Sequence, residues 1–202
     1  MKETSGSPKG TVFTVAMLFL FMFLNFADKA ILGLTAIPIM KELNLTPKEF
    51  GLIGSSFFFL YAVSTILVGF LVNRIDTKWP LFIMCLIWAL AQFPVIAAGS
   101  GLIALVVART VLGAGQGPAF PVAMHSAYKW FPNEKRALPT SIIAQGAPIG
   151  VLIALPALGW IITRYNWRYA YAVLGIVGLL WCVVWAVWGR EGSVEVTVKT
   201  AS

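Results

Sequence analysis

The chain has 202 residues, of which 59% are hydrophobic and only 11% are charged. Soluble globular domains carry about 25% charged residues, so a chain with this composition could not cover its surface in water. These proportions, with a formal net charge of +7, exclude an ordinary soluble domain and indicate an integral membrane protein.

Six stretches of the chain contain no Asp, Glu, Lys or Arg: residues 11–27, 50–73, 79–108, 110–128, 137–163 and 169–189. A helix that crosses the bilayer core needs about 20 apolar residues. The stretch at 79–108 is longer than one crossing, and "AAGSG" at 97–101 favours a turn within it. We therefore predict an all-α membrane protein with six transmembrane helices, at about 11–40, 50–73, 79–98, 102–128, 137–163 and 169–189.

The first stretch has the features of a transmembrane helix rather than those of a cleaved signal peptide. After "VAMLFLFMFLNFA" come Asp28 and Lys29, and apolar sequence then continues to Met40 without a small-residue cleavage pattern. We predict one continuous helix over 11–40, with an ion pair between Asp28 and Lys29 inside it.

The basic residues of the loops predict the orientation, because cytoplasmic loops of membrane proteins are enriched in Lys and Arg. If the N-terminus is cytoplasmic, nine basic residues lie on that side and four on the other. Both termini are therefore predicted to be cytoplasmic, and the positive charge reflects topology without a nucleic-acid partner. The nine are Lys2, Lys9, Arg74, Lys78, Lys129, Lys135, Arg136, Arg190 and Lys199; the four are Lys41, Lys48, Arg164 and Arg168.

Two further cations, Lys29 and Arg109, lie within predicted spans, and Asp28 is the carboxylate at the same position. An ionisable group at bilayer depth costs a few kcal/mol, so it usually faces a cavity and has a function. The alternative is an internal ion pair that only fixes helix packing. We favour the cavity, because a neutral packing contact would cost less free energy.

The spacing within the fourth predicted helix supports a cavity. Arg109, Gly113, Gln116 and Phe120 are separated by four, three and four residues, which places them on one helical face. Gly113 and Gly117 form a pair of small residues that allows another backbone to approach closely. Asp28 lies at a similar predicted depth, so we expect one shared central site.

Several other polar residues in the spans allow two interpretations each. Gln145 either joins helices by a hydrogen bond or contacts a ligand, and the Gly146/Gly150 pair beside it predicts a close helix contact. Tyr61 either fills space as an amphipathic side chain or contacts a ligand, and we interpret His125 as an interfacial residue. Neither a disulfide nor a metal site is predicted from the two cysteines, Cys85 and Cys182, because the sequence offers them no partners.

The loop after the second span, "GFLVNRIDTK" at 69–78, resembles the signature G-x-L-x-D-R-x-G-x-K/R of the major facilitator superfamily. In that superfamily the loop links two helices on the cytoplasmic side, and the resemblance implies a role in conformational gating. The matching residues are Gly69, Leu71, Arg74 and Lys78. Asn73 stands in place of the usual Asp, and Asp76 in place of the usual Gly, where its charge partly replaces the missing one.

Four more stretches are similar to motifs of the anion:cation symporter family, which carries organic anions such as sugar acids. "NFADK" at 25–29 resembles its N-Y/F-x-D-R, and "RTVLGAGQGPAFP" at 109–121 resembles its R-x-x-x-G-x-G-E-x-P-x-x-P. "WFPNEKR" at 130–136 resembles W-F-P-x-x-E-R, and "NWRYAYAVLGIVGLLW" at 166–181 resembles W-R-x-x-F-x-x-x-G. The resemblance covers roughly residues 12–190.

The resemblance implies a role for each matching residue. Arg109 would bind the substrate carboxylate, with Lys29 as a second cation, while Tyr61, Gln145 and Asn25 would contact substrate. Asp28 would take part in proton coupling. Gln116 stands where the family has a titrating glutamate, so it would contact substrate but could not carry a proton.

The resemblance also implies an architecture: two inverted three-helix repeats that form one six-helix bundle, at residues 12–190. Residues 1–11 would be a cytoplasmic N-terminus and residues 191–202 a polar cytoplasmic tail. Because such transporters bind substrate between two bundles, we expect a second six-helix half as a partner, in the lipid bilayer of a bacterial inner membrane. We expect no cofactor and no metal.

The leading hypothesis is therefore the N-terminal half of a proton-coupled transporter of small organic anions. Alternatives are a truncated fragment that transports nothing, an interaction protein or a drug/proton antiporter. An intramembrane enzyme is disfavoured because the sequence lacks G-x-S-x-G, H-E-x-x-H and paired carboxylates within the spans.

Overall fold

A computed structural model describes residues 8–72, 74–97 and 100–192, and this part of the chain is built from α-helices with one short 3₁₀ turn. All six predicted spans are confirmed, at Lys9–Leu34, Pro47–Leu71, Lys78–Ile96, Leu102–Tyr128, Ala137–Arg164 and Trp167–Trp188. They are numbered spans 1 to 6 below. The helices are α1 (Pro8–Leu34), α2 (Ala36–Leu43), α3 (Pro47–Leu71), α4 (Lys78–Ala91), α5 (Phe93–Ile96), α6 (Leu102–Gln116), α7 (Ala119–Tyr128), α8 (Ala137–Arg164) and α9 (Trp167–Trp188).

The prediction of one continuous helix over 11–40 is wrong. Helix α1 ends at Leu34 and α2 begins at Ala36, with Thr35 between them. The hydroxyl of Thr35 donates to the carbonyl oxygen of Ile31 at 2.9 Å, so the side chain bonds back to the preceding turn at the point where the helix is interrupted. Pro38, in the first turn of α2, has no N–H to donate and therefore cannot continue the α1 hydrogen-bond ladder.

The packing of the spans shows the two inverted repeats. Span 1 packs mainly on span 5, span 2 on span 4, and span 3 on span 6. Exchanging spans 1, 2 and 3 with 4, 5 and 6 maps the first contact onto the second and the third onto itself. This pairing is what a pseudo-two-fold axis between two three-helix repeats requires.

Glycines make the two equivalent contacts close, as the sequence predicted. A Cβ on Gly113 or Gly117 would overlap the backbone oxygens of Phe57 or Tyr61 in span 2. In the other contact a Cβ on Gly146 or Gly150 would overlap backbone oxygens of span 1. Each helix pair therefore approaches backbone to backbone, which only small residues permit.

The six spans differ in how much of their surface the bundle covers. In the most apolar window of each span, 11% of span 2 and 22% of span 5 is buried, against 44% to 56% for the other four. Spans 1, 3, 4 and 6 therefore form the core, and spans 2 and 5 present broad apolar faces outward.

Ion pairs lie at the two ends of the bundle. At the end where α2 and span 6 meet, which we call the α2 end, Glu42 pairs with Arg168 and accepts from the Trp167 indole N–H at 2.6 Å. The Trp167 hydrogen bond, and then the Arg168 contact, lower the pKa of Glu42 below its ordinary value. These contacts attach α2 to the start of span 6.

The other end, which we call the terminal end, carries the second ion pair, between Lys129 and Glu191. Glu191 also accepts from the hydroxyl of Thr77 at 2.9 Å, and from the backbone N–H groups of Thr77 and Lys78 at the start of span 3. A Cβ on Gly192 would overlap the carbonyl of Lys129. Residues 191 and 192 of the predicted polar tail are thus packed on the bundle; residues 193–202 lie outside the described residues.

Candidate anion-binding site

The Asp28 carboxylate is buried in the middle of span 1 and is held by two amides. Gln92 donates to Oδ1 at 2.9 Å and Gln116 donates to Oδ2 at 3.3 Å. The three side chains come from spans 1, 3 and 4, and each is at most 3% exposed. Each carboxylate oxygen thus has a neutral donor, which compensates for the loss of water.

The predicted Asp28–Lys29 ion pair is not formed. Within the described chain the ion pairs are the two at the ends of the bundle. Consecutive residues of a helix point about 100° apart, so the two side chains leave α1 in different directions. The Lys29 ammonium lies 4.4 Å from the ring centre of Phe26 and 5.6 Å from that of Tyr61, within cation–π range.

Arg109 of span 4 is only 5% exposed, yet it is not paired with a carboxylate in the described chain. One Nη donates to the phenol oxygen of Tyr171 in span 6 at 2.9 Å. The other donates to the backbone carbonyl of Asp28 at 3.4 Å. These bonds use two of the five guanidinium N–H groups. A permanent cation is therefore held by neutral acceptors and keeps donor capacity for an anion.

Three buried amide atoms of Asn25 and Gln116 lack hydrogen-bond partners among the described residues. Asn25, one turn before Asp28 on span 1, is 1% exposed, and neither atom of its amide has a hydrogen-bond partner among the described residues. The same holds for Oε1 of Gln116. Leaving such a group unsatisfied costs roughly 1–3 kcal/mol. These amides are consistent with a polar occupant, which would supply the missing bonds.

Asp28 lies in one cluster with Arg109 and Gln116 of span 4, but this cluster does not include every residue predicted for the site. Gln145 is exposed on span 5, and none of its hydrogen bonds within the described chain joins it to the cluster. Phe120 is 48% exposed and lies in α7, which begins at Ala119 after the interruption at Gly117 and Pro118, so it is outside the buried cluster.

The loop between spans 2 and 3 is confirmed in position, with α3 ending at Leu71 and α4 beginning at Lys78. Lys78 donates to the carbonyl oxygen of Ala186 at the end of span 6, at 2.9 Å. Arg74 and Asp76 are exposed, and Gly69 has open space around it. Asn73 lies outside the described residues.

Three residues of the cluster were missed from the sequence: Gln92, Thr35 and Tyr171. Gln92 is an amide in an otherwise apolar span, the same signal that drew attention to Gln145. Tyr171 stands where the W-R-x-x-F pattern has Phe, so its hydroxyl was a visible departure. No comparable signal marked Thr35.

The arrangement can bind an anion. Two cations and one carboxylate leave one positive charge in a region from which water is largely excluded, and Coulomb attraction is stronger there than in water. A guanidinium with unused donors can take a carboxylate through two parallel hydrogen bonds, and Lys29 adds a point charge. Arg109 and Lys29 thus supply positive charge, and the unpartnered amide atoms of Asn25 and Gln116 can form hydrogen bonds with hydroxyl groups.

The chain is similar in sequence to known transport proteins. The chain is 32% identical over 187 residues to a hexuronate transporter of Bacillus subtilis and 34% identical over 177 residues to a probable sulfoacetate transporter of Cupriavidus necator. It is 28% identical over 172 residues to a D-galactonate transporter of Escherichia coli. These alignments cover 93%, 88% and 85% of this chain but 44%, 41% and 40% of the relatives, so the chain spans less than half of their length.

The fold of the chain is also similar to that of part of a solved transporter structure. A bacterial homologue of the human lysosomal transporter Spinster, in an inward-facing and unoccupied conformation, superposes with a TM-score of 0.83 at 22% identity. The superposition covers 98% of this chain and 47% of that one. The sequence profile of the Major Facilitator Superfamily matches residues 18–201. The chain is an integral membrane protein that belongs to the Major Facilitator Superfamily.

Proposed function

We propose that this chain is the N-terminal bundle of a secondary transporter for small organic anions, namely sugar acids or related carboxylates. The observation that carries the proposal is the buried Arg109 guanidinium, which is held by neutral acceptors and has unused donors. Three relatives are named as transporters of hexuronate, sulfoacetate and D-galactonate, and each of these compounds is an organic acid. Lys29 and Tyr61 would contact the same anion, Asn25 and Gln116 its hydroxyl groups.

We further propose that Asp28 carries the proton that drives uptake. An amide offers a donor on one side and an acceptor on the other. Rotation of the Gln116 amide would therefore replace the present N–H donation to the carboxylate with a hydrogen bond that the amide oxygen accepts from the O–H of the carboxylic acid. Oε1 of Gln116 now lacks a partner and would gain one in that state. The cluster can thus satisfy Asp28 in either protonation state.

A second six-helix half would complete the cavity. Spans 2 and 5 expose the largest apolar faces, and Gln145 lies on the exposed side of span 5. A partner bundle on these faces would cover them and bring Gln145 toward the substrate. The loop at 69–78 would then gate the movement of the two halves, with both termini in the cytoplasm of a bacterial cell, as the excess of basic residues favours.

The test is uptake by bacteria that lack their own sugar-acid permeases and express the native gene. The probes are radiolabelled D-galactonate, D-glucuronate, D-glucarate and sulfoacetate, with D-galactose as the matched neutral sugar. We expect accumulation of at least one acid, competition by the other acids and none by galactose. A protonophore should abolish accumulation but not exchange of labelled for unlabelled acid.

Two results would contradict the proposal. If the protein inserts into the membrane but no acid is transported, the chain is a non-transporting fragment or an interaction protein. If galactose competes as well as galactonate does, Arg109 is not an anion site. Accumulation that survives the protonophore would overturn proton coupling alone.

A further inference from the structure

The phenol of Tyr171 lies between Arg109 of the proposed anion site and Thr35, at the break between α1 and α2. Its oxygen accepts from Arg109 at 2.9 Å and lies 3.0 Å from the hydroxyl of Thr35. Tyr171 is 1% exposed and Thr35 is fully buried, so water does not replace these contacts. Span 4, span 6 and the end of α1 thus meet at the hydroxyl group of Tyr171.

The direction of the hydrogen bonds follows from the number of protons. The guanidinium can only donate, so the Tyr171 oxygen accepts from it and the Tyr171 proton is free to donate. Thr35 has one proton and uses it toward the carbonyl oxygen of Ile31 at 2.9 Å. Tyr171 therefore donates to Thr35. The chain runs from Arg109 through Tyr171 and Thr35 to the backbone of α1, with each hydroxyl both donating and accepting.

We propose that Tyr171 is a positioning residue for anion binding: it fixes the Arg109 guanidinium toward span 1, and Thr35 in turn orients the Tyr171 hydroxyl. This inference rests on the proposed function of Arg109. The aromatic ring contributes as well, because it packs edge to face on Trp167 with ring centres 5.8 Å apart, and Arg109 lies 5.6 Å from its centre. Trp167 in turn donates its indole N–H to Glu42 at the α2 end.

The direct test removes single hydroxyl groups. Tyr171→Phe keeps the ring and its packing but loses the acceptor for Arg109. We expect the KM for galactonate, or for whichever acid of the panel is transported, to rise about tenfold, as loss of a charge-assisted hydrogen bond predicts. The maximal rate should change less than the KM does, because Tyr171 does not touch the anion. Tyr169 lies on the same helix and is 60% exposed. Tyr169→Phe is therefore the matched control, and it should leave both constants unchanged.

The second link is tested by a pair of substitutions at the break. Thr35→Val keeps the shape and loses the acceptor for Tyr171, so we expect a smaller rise in KM, of a few-fold. Thr35→Ser keeps the hydroxyl and should restore wild-type KM. Equal KM values for Thr35→Val and Thr35→Ser would overturn the orienting role of Thr35.

A thermal double-mutant cycle separates contact from function. The melting temperatures of wild type, Tyr171→Phe, Arg109→Leu and the double variant should show that the two changes are coupled. Additive effects would overturn the contact itself. Coupling without a change in KM would show a purely structural contact and overturn the positioning role. If wild type binds and transports no acid of the panel, the proposed function fails, and the positioning role fails with it.

Discussion

The charges at the ends of the bundle and those in its middle are handled in opposite ways. At each end one acid pairs with a base: Glu42 with Arg168, and Glu191 with Lys129. In the middle, none of Asp28, Lys29 and Arg109 is in an ion pair with a described residue. Amides hold the carboxylate, a phenol and a carbonyl hold the guanidinium, and aromatic rings lie beside the ammonium.

The difference teaches what each region is built to do. An ion pair at an exposed end adds a little stability and fastens two helices. A pair in the middle would be much stronger because water is scarce there, and a substrate carboxylate would have to break it. Keeping Asp28 and Arg109 on neutral partners leaves the cation available. Substitutions in the middle and at the ends test this difference.

The largest effect is expected for Arg109→Lys. Lysine keeps the charge but cannot donate two parallel hydrogen bonds to a carboxylate or reach both Tyr171 and the Asp28 carbonyl. We expect the ratio of maximal rate to KM for acid uptake to fall about 100-fold. The same substitution at the end, Arg168→Lys, should keep that ratio within a factor of about two, because exposed pairs contribute little. Similar losses for both variants would show that Arg109 is no more important for acid uptake than an arginine at the end of the bundle.

The next effect concerns Asp28→Asn. The amide keeps the shape of the side chain but cannot carry a proton. We expect accumulation against a gradient to disappear while exchange of labelled for unlabelled acid persists at a rate of the wild-type order. Uptake and counterflow in proteoliposomes, with and without an imposed proton gradient, measure both. Proton-driven accumulation by Asp28→Asn would exclude this carboxylate as the coupling group.

A third variant adds a charge to the middle instead of removing one. Gln116→Glu places a second carboxyl group against Asp28, where the amide nitrogen now donates at 3.3 Å. Two adjacent carboxyl groups titrate as a pair, so the variant should not take up and release the coupling proton as wild type does. We expect the pH dependence of acid uptake to change. An unchanged pH profile would show that residue 116 does not sense the coupling proton.

The smallest effect is expected for Glu42→Gln at the α2 end. The folded-state pKa of Glu42 lies below its ordinary value, so its contacts stabilise the protein above about pH 4.3 and lose this contribution as the pH falls through the lowered pKa. We expect the variant to melt about 2 °C lower than wild type at pH 7 and at the same temperature in strong acid. A difference that grows toward acid would contradict this sign. Uptake at pH 7 should be unaffected.

Periodicity, charge and motif spacing were enough to predict the six spans, the glycine contacts and the central placement of Arg109, Gln116 and Asp28. Each of these depends on one helix at a time or on a depth that counting residues provides. The break at Thr35 was missed because the sequence from residue 11 to residue 40 is predominantly apolar, with few polar residues besides the two charges. Thr35 and Pro38 give only a weak indication of a helix break compared with this continuous hydrophobic signal.

The partners of the buried charges could not be predicted in the same way. Adjacent opposite charges at 28 and 29 suggested an ion pair, but helix geometry directs the two side chains to different neighbours. Gln92 reaches Asp28, and Tyr171 reaches Arg109, between helices that are far apart in the sequence. The sequence by itself determined that this is a six-span membrane protein with charges in its middle, because the cost of charge in hydrocarbon leaves few alternatives. Only the tertiary structure decided that these charges stay apart, because hydrogen bonds between side chains depend on helix rotation and packing, which no single helix contains.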